Sequence, residues 1–218
     1  WYANPADGAA QDAAKAAAAA QADRTLAEAW QSRRAYPLVV TQGDGNLGVK
    51  GKNFEMLFSI AGAGPASLKV NGTEWLWRTP RPAFWRASTD NDRGCGFPMR
   101  AAAWMAADVF VTYNGMKVLE AGPDCVKVQF QFGIPTVPGA SAELVYTVEA
   151  QGALRVDAVY HGVAGAPELP CFGVKFETFG PVTRTVWTGL SGETYPDRYK
   201  GGVFGCHEET PHVEPHLV

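Results

Sequence analysis

Residues 126–132 read Val-Lys-Val-Gln-Phe-Gln-Phe, so that every second side chain is large and apolar. Successive side chains of a β-strand point to opposite faces, and a period of two therefore predicts a strand with one buried and one wet face. Strands of this kind build antiparallel sheets, whose second face can remain in water. The segment indicates an all-β chain.

The same alternation returns in three segments downstream. The side chains predicted to face inward are Leu144, Tyr146 and Val148; Leu154, Val156, Ala158 and Tyr160; and Phe172, Val174 and Phe176. Short turns with glycine and proline separate these segments, as expected where neighbouring strands reverse direction. We predict a mainly β fold in which antiparallel sheets pack as a sandwich.

Upstream, the sequence predicts a strand over residues 54–60 and two hairpins. Gly43–Asn46 lies between two short apolar runs, as a hairpin turn requires. Asn71-Gly72 separates Leu68–Val70 from Thr73–Trp75, and this dipeptide suits the two positive-φ positions of a type I′ turn.

Two segments depart from the period of two. Residues 99–110 hold five alanines with Trp104 and Met105, which predicts a short helix crossing the sheet. Alanine and other helix formers dominate residues 6–35, and we interpret residues 1–36 as an Ala-rich helical linker or tail. Residues 37–218 are predicted to form the β domain. Residues 187–198 are predicted to form a long ordered loop, with no closing strand after it.

Charge and cysteine content restrict the functional classes. A formal net charge of −3 and a pI near 5.8 provide no basic surface for nucleic acid, and no apolar run is long enough for a membrane helix. The four cysteines form no CxxC pair, which favours reduced thiols and a cytoplasmic location. Because the chain lacks an initiator Met, we expect it to be a fragment.

The densest run of polar side chains is Phe84-Trp85-Arg86-Ala87-Ser88-Thr89-Asp90-Asn91-Asp92-Arg93-Gly94. Two carboxylates flanking a bond are what glycoside hydrolysis needs, and Asp90 with Asp92, or Glu193 with Asp197, are candidates. The alternative is structural: Asp90 and Asn91 cap turns, and Arg86 or Arg93 pairs an acid to fix the loop. Such pairing lowers the pKa of a carboxyl and makes it a poor general acid.

Other residue types suggest two further kinds of site. Cysteine and histidine suit Zn²⁺, but the spacings of Cys206, His207, His212 and His216 fit no standard zinc pattern, so we predict no metal site. Aromatic faces can stack on sugars, and this sequence is rich in them. The alternative for each is burial in the core; the candidates are Trp75, Trp77, Phe84, Trp85 and Trp104.

Two motifs resemble a known family. Residues 84–94 resemble the W-R-A-x-T-D-N-D-x-G signature of the C-terminal sandwich domain of bacterial β-galactosidases of glycoside hydrolase family 2. Residues 187–198, Trp-Thr-Gly-Leu-Ser-Gly-Glu-Thr-Tyr-Pro-Asp-Arg, are similar to that family's G-L-G/S-x-x-E-x-Y-P-D-R segment. Residues 43–54, 74–80 and Pro167–Pro170 resemble the small subunit of its two-chain members. The resemblance covers residues 38–218.

The resemblance implies a supersandwich like that of galactose mutarotases and no catalytic residue in this chain, because the catalytic glutamates belong to a TIM barrel on another domain or large subunit. It implies an active-site loop and its base at Trp85, Arg86, Asp90, Asn91, Asp92, Arg93 and Gly94, with Gly94 opening a loop that moves when galactose binds. A structural role is implied for Glu193, Tyr195, Pro196, Asp197 and Arg198.

The implied function is that of a non-catalytic domain in an enzyme that hydrolyses terminal β-D-galactosides such as lactose. In such enzymes Mg²⁺ and Na⁺ are bound by other domains, and galactoside binds only in the assembled enzyme. The chain stops before the Trp that stacks on the sugar in this family. Two alternatives are a free-standing carbohydrate-binding module and an aldose epimerase, for which His161 and His207 are the candidates.

Overall fold

The computed structural model describes residues 36–180, 182–190 and 202–210. They belong to two compact units, one of residues 36–179 and a smaller one containing the remainder. The strands of the larger unit are β1 (Val39–Gln42), β2 (Asn46–Lys50), β3 (Phe54–Ser59), β4 (Gly64–Val70), β5 (Thr73–Glu74), β6 (Leu76–Ala83), β7 (Thr112–Ala121), β8 (Cys125–Gly133), β9 (Ser141–Glu149), β10 (Leu154–His161) and β11 (Gly173–Thr178). Its helices are α1 (Asp90–Gly94), α2 (Phe97–Arg100) and α3 (Ala102–Phe110).

The first sheet has five antiparallel strands in the order β1-β2-β3-β4-β5. Both predicted hairpins are confirmed. Asn71 and Gly72 have φ angles of 51° and 81°, as a type I′ turn requires. In β3, Met56 and Phe58 are buried as predicted, but the strand ends at Ser59 and Ile60 lies exposed in the following turn.

The second sheet is antiparallel with the order β10-β9-β8-β7. The alternating side chains of residues 126–132 are confirmed as its buried face, since all four apolar members are at most 2% exposed. On the edge strand β10, Leu154, Val156 and Tyr160 pack against the core. Ala158 was predicted to do the same and is instead exposed, because the outermost strand is only partly covered.

The two sheets pack face to face. Phe58 of the first sheet lies with its ring centroid 6.2 Å from Phe130 and 5.8 Å from Tyr146 of the second. Each large apolar side chain removed from water in this way stabilises the fold by about 1.5–3 kcal/mol. The predicted mainly β fold with antiparallel sheets packed as a sandwich is confirmed.

Strands β6 and β11 form a separate two-stranded antiparallel sheet. Phe172 and Val174 pack against the core as predicted. Phe176 is 48% exposed instead, where the register shifts between Lys175 and Glu177 because β6 bulges and places two residues, Thr79 and Pro80, opposite Phe176. A bulge inserts one unpaired residue and reverses the side-chain alternation beyond it.

The segment 84–110 is more helical than predicted. The single helix expected over 99–110 is two helices, α2 and α3, and the predicted loop 84–94 contains the short helix α1. Trp104 and Ala107 of α3 are fully buried against the sandwich. Among the residues that the structure describes, no helix has the length and apolar character needed to cross a membrane.

The smaller unit contains one antiparallel strand pair, β12 (Thr185–Leu190) with β13 (Phe204–Glu209). The prediction of a loop beginning at residue 187 with no later strand is therefore wrong for residues 187–190 and 204–209. The predicted helical residues 6–35 lie outside the described residues. So do residues 191–198 of the second motif, which include Glu193, Tyr195, Pro196, Asp197 and Arg198.

Candidate functional site

The motif at residues 84–94 starts from a fully buried aromatic side chain. Phe84 has its ring centroid 5.8 Å from those of both Trp104 and Phe172. Its backbone N–H donates to Oδ1 of Asp108 at 2.6 Å. Trp104 in turn donates from Nε1 to the carbonyl oxygen of Pro167 at 3.0 Å. The start of the motif is thereby fixed to α3 and to the segment before β11.

Helix α1 begins with a capping box. The Oγ1 of Thr89 accepts a hydrogen bond from the Asp92 N–H at 3.2 Å, and Asp92 Oδ2 accepts one from the Thr89 N–H at 2.8 Å. These reciprocal bonds satisfy two backbone donors that the helix start would otherwise leave unpaired. The prediction that Asp90 and Asn91 provide the caps is wrong, because Thr89 and Asp92 have this role.

Arg86 joins this helix to a distant part of the chain. Its guanidinium binds Asp92 in a bidentate manner, with Nη1 2.5 Å from Oδ2 and Nη2 3.3 Å from Oδ1. Its Nε donates to the carbonyl oxygen of Pro170 at 3.3 Å. The two side chains are only 22% and 15% exposed. Such charge-assisted, geometrically fixed pairs are stronger than ordinary surface ion pairs.

The hydrogen bonds of Asp92 argue against its use as a general acid. The hydrogen bonds from Arg86 hold the pKa of Asp92 far below its ordinary value, and the Thr89 hydrogen bonds act in the same direction. A carboxyl of this kind remains ionised and cannot donate a proton as a general acid. Asp90 is almost fully exposed and pairs with Arg93. The predicted pairing of the arginines with the acids is confirmed.

The contribution of Asp92 to stability is expected to disappear in acid. Because its pKa is lowered on folding, this contribution is complete above about pH 5 and is lost as the pH falls through the unfolded and then the folded pKa. The difference in unfolding free energy between the wild-type chain and Asp92→Asn, measured in urea, should shrink below about pH 4. A difference as large at about pH 2 as at neutral pH would contradict this account.

The remaining residues of the motif are exposed to solvent or only partly buried. Trp85 is partly buried against the core, whereas Asn91, Arg93 and Gly94 are exposed. A Cβ added at Gly94 would meet nothing within 4 Å. The left-handed backbone lies two residues later, at Gly96, with a φ of 68°. The motif thus presents a polar surface supported from beneath by Arg86 and Asp92.

The helices after α1 continue this surface with apolar side chains. Ala101, Trp104 and Ala107 line the buried side. On the outer side, large apolar side chains are between 53% and 84% exposed, and they belong to Met99, Met105, Val109 and Phe110. We call these four residues the apolar helix face. A helix that is apolar on all sides is normally covered on all sides.

Several residues that fix the site differ in how strongly the sequence signals them. Thr89 and Asp92 match the T-x-x-D pattern of a capping box, which would have revealed α1. Asp108 and the carbonyl groups of Pro167 and Pro170 carry no such local signal. Their partners lie between 24 and 84 residues away in the chain.

The aromatic candidates for sugar stacking divide into two groups. Phe84 and Trp104 are core residues, so the structural alternative is confirmed for them. Trp75 and Trp77 are 52% and 56% exposed. Trp77 packs edge to face with Phe179, with ring centroids 4.9 Å apart at 88°.

Two of the histidine candidates, His161 and His207, lie within the described residues. His161 is exposed at the end of β10. The His207 Nε2 lies 3.0 Å and 3.2 Å from the carbonyl oxygens of Val203 and Gly189. His212 and His216 lie outside the described residues. Across residues 36–180, 182–190 and 202–210, no three or more of the side chains of His, Cys, Asp and Glu converge as a metal site would require.

Comparison with known proteins gives a single family. A family model described as "Beta galactosidase small chain" matches residues 50–216. The chain is 43% identical over 201 residues to a "Beta-galactosidase small subunit" of Latilactobacillus sakei, covering 83% of this chain and 63% of that protein.

Two further relatives are named as β-galactosidases. The chain is 36% identical to one from Clostridium acetobutylicum, covering 78% of this chain and 19% of the relative. It is 35% identical to another from Lactobacillus delbrueckii subsp. bulgaricus, covering 84% and 19%. The chain thus spans less than two thirds of the small subunit and about a fifth of these two proteins.

Proposed function

Because this chain belongs to the β-galactosidase small-chain family, we propose that it is a non-catalytic sandwich part of an enzyme that hydrolyses terminal β-D-galactosides such as lactose. On this proposal the reacting groups belong to a catalytic barrel on another domain or on a large subunit. The chain contributes to assembly and to the wall of the active-site mouth. Galactoside binds in the assembled enzyme.

The observation that carries this proposal is the surface formed by α1, α2 and α3. Its polar part is Asp90, Asn91 and Arg93, and its apolar part is the apolar helix face. Protein interfaces combine such an apolar centre with a polar rim. We therefore propose that this surface contacts the catalytic partner and that the Arg86–Asp92 pair keeps the polar part rigid.

Gly94 has a separate proposed role at the edge of this surface. We propose that it allows the loop following α1 to adjust when galactose binds in the assembled enzyme. The open space around its α-carbon supports this role, because no neighbouring atom lies within 4 Å of the position that a Cβ would occupy there.

The domain bounds, the second motif, the metal ions and the cellular location are further parts of the proposal. We propose that residues 37–218 belong to one supersandwich domain and that residues 1–36 form a linker or tail. The second motif, which includes Glu193 and Asp197, is proposed to be structural. Mg²⁺ and Na⁺ of the complete enzyme are proposed to bind to other domains. Four unpaired cysteines support a cytoplasmic location.

Activity measured with and without a catalytic chain tests the proposal. The isolated chain is expected not to hydrolyse an aryl β-galactoside, whereas mixing it with the catalytic chain of a two-chain β-galactosidase should produce or raise activity. Met105→Glu with Val109→Glu places two charges in the apolar helix face and should weaken this association by at least about tenfold.

The matched control is Val39→Glu. Val39 is an equally exposed apolar residue on β1, and its replacement should leave association unchanged. Turnover by the isolated chain would contradict the non-catalytic role. If the double variant associates as tightly as the wild-type chain, α3 is not part of the interface.

A further inference from the structure

A groove of about 590 Å³ is lined by residues of β6 and β11. Small residues line one part of the groove and leave it wide. These are Ala61 and Gly62 in the β3–β4 turn and Ala66 on β4. Its volume lies within the roughly 300–1,000 Å³ of small-molecule sites. The wall on β6 includes Trp77 and Arg81.

The acidic groups of the groove have partners in this chain. Glu177 lies 3.3 Å from Lys175 Nζ and 3.6 Å from Arg78 Nε, so that two cations neutralise and orient it. Asp108 also lines the groove, and its Oδ1 accepts the Phe84 N–H. The carboxylate oxygens left over can still accept hydrogen bonds from a ligand.

Arg81 also lines the groove and takes part in neither of the Glu177 ion pairs. It stands opposite Lys175 in the β6–β11 register. Within the part of the chain that the structure describes, its side chain forms no ion pair or hydrogen bond. Its guanidinium therefore offers several N–H donors to a ligand with oxygen acceptors.

Trp77 adds an aromatic surface to the same groove. More than half of its area is open to solvent, although Phe179 fixes the ring on one side. An exposed indole beside fixed donors and acceptors matches the chemistry of a pyranose, which has an apolar ring face and hydroxyl groups at its edge. The carboxylates of Asp108 and Glu177 offset two of the three cationic side chains that line the groove, so its net charge is small and a neutral ligand suits it better than a polyanion.

We propose that this groove is a saccharide-binding site that takes one or two neutral pyranose units, with Trp77 against the ring face and Arg81 and Glu177 at the hydroxyls. The site includes none of the four residues of the apolar helix face, although Asp108 of α3 lines it. It can be tested on this chain alone, and its failure leaves the proposed contact with a catalytic chain unaffected.

Calorimetric titration of the full chain with lactose and with methyl β-D-galactoside tests the site. Saturable binding in the millimolar range is expected. Trp77→Ala and Glu177→Gln should each weaken it by about tenfold or more. Trp75→Ala is the matched control, because Trp75 is exposed to the same extent, lies two residues away and does not line the groove. It should retain wild-type affinity.

The outcomes separate the alternatives. Absence of heat with either sugar in titrations extended to tens of millimolar would overturn the proposal. So would equal losses in the Trp75 and Trp77 variants, or binding of inorganic phosphate without binding of either sugar. Circular dichroism of each variant establishes that it is folded, and Glu177→Gln provides a second reading should Trp77→Ala fail to fold.

Discussion

Replacing Trp104 by alanine is expected to lower the free energy of unfolding by about 3–5 kcal/mol. The side chain is completely buried, and its ring lies 5.8 Å from Phe84 and 5.7 Å from Tyr160. Its removal leaves a cavity and deprives the Pro167 carbonyl of its donor at 3.0 Å. Both losses act on the same region, where α3 attaches the motif to the sandwich.

Urea unfolding followed by circular dichroism measures this change. Trp75→Ala removes the same side chain from an exposed position and should leave stability nearly unchanged. Equal destabilisation by the two substitutions would show that Trp104 does not anchor the motif.

Arg86→Ala is expected to destabilise the chain by about 2–3 kcal/mol, less than the roughly 3–5 kcal/mol lost when one partner of a fully buried ion pair is removed. The loss arises because a charge remains unpaired, and partial exposure of this pair reduces it. The carbonyl of Pro170 also loses a donor. On the proposed function, association with the proposed catalytic partner should weaken as well, because Asp92 no longer holds α1 in place.

A double-mutant cycle separates the pair from its surroundings. Asp92→Asn in the Arg86→Ala background should cost much less than Asp92→Asn in the wild-type chain, since the charge it removes is already unpaired. Arg155→Ala breaks an exposed pair with Asp157 and serves as the control, with no measurable change expected. Additive effects of Arg86→Ala and Asp92→Asn would contradict a coupled pair.

Local patterns predicted the sandwich well. Residues 126–132 and 144–148 follow the period of two because one sheet face is buried, and Asn71-Gly72 forms its turn because only a few residue types adopt two positive φ angles. The errors come from features without a local pattern. The bulge of β6 opposite Phe176 depends on the pairing of β6 with β11, and β12 forms because residues 204–209 lie beside it.

The site was predictable only in part. The density of arginines and acids in residues 84–94 indicated internal pairing, and T-x-x-D at Thr89 encodes the cap. The sequence could not indicate that Arg86 reaches Pro170 or that Asp108 receives the Phe84 N–H, because these contacts depend on the folded arrangement. The apolar helix face was equally hidden, since periodicity alone does not reveal which side of α3 is covered.

The hydrogen bond from Arg86 to Pro170 has a consequence for the order of events during folding. The capping box of α1 joins neighbouring residues and can form at once, but the bond to Pro170 spans 84 residues. Contacts of such large sequence separation form only after the intervening chain has closed. The rigid polar surface is therefore completed late, and the proposed catalytic partner, if it requires this surface, would select chains that have already folded as far as Pro170.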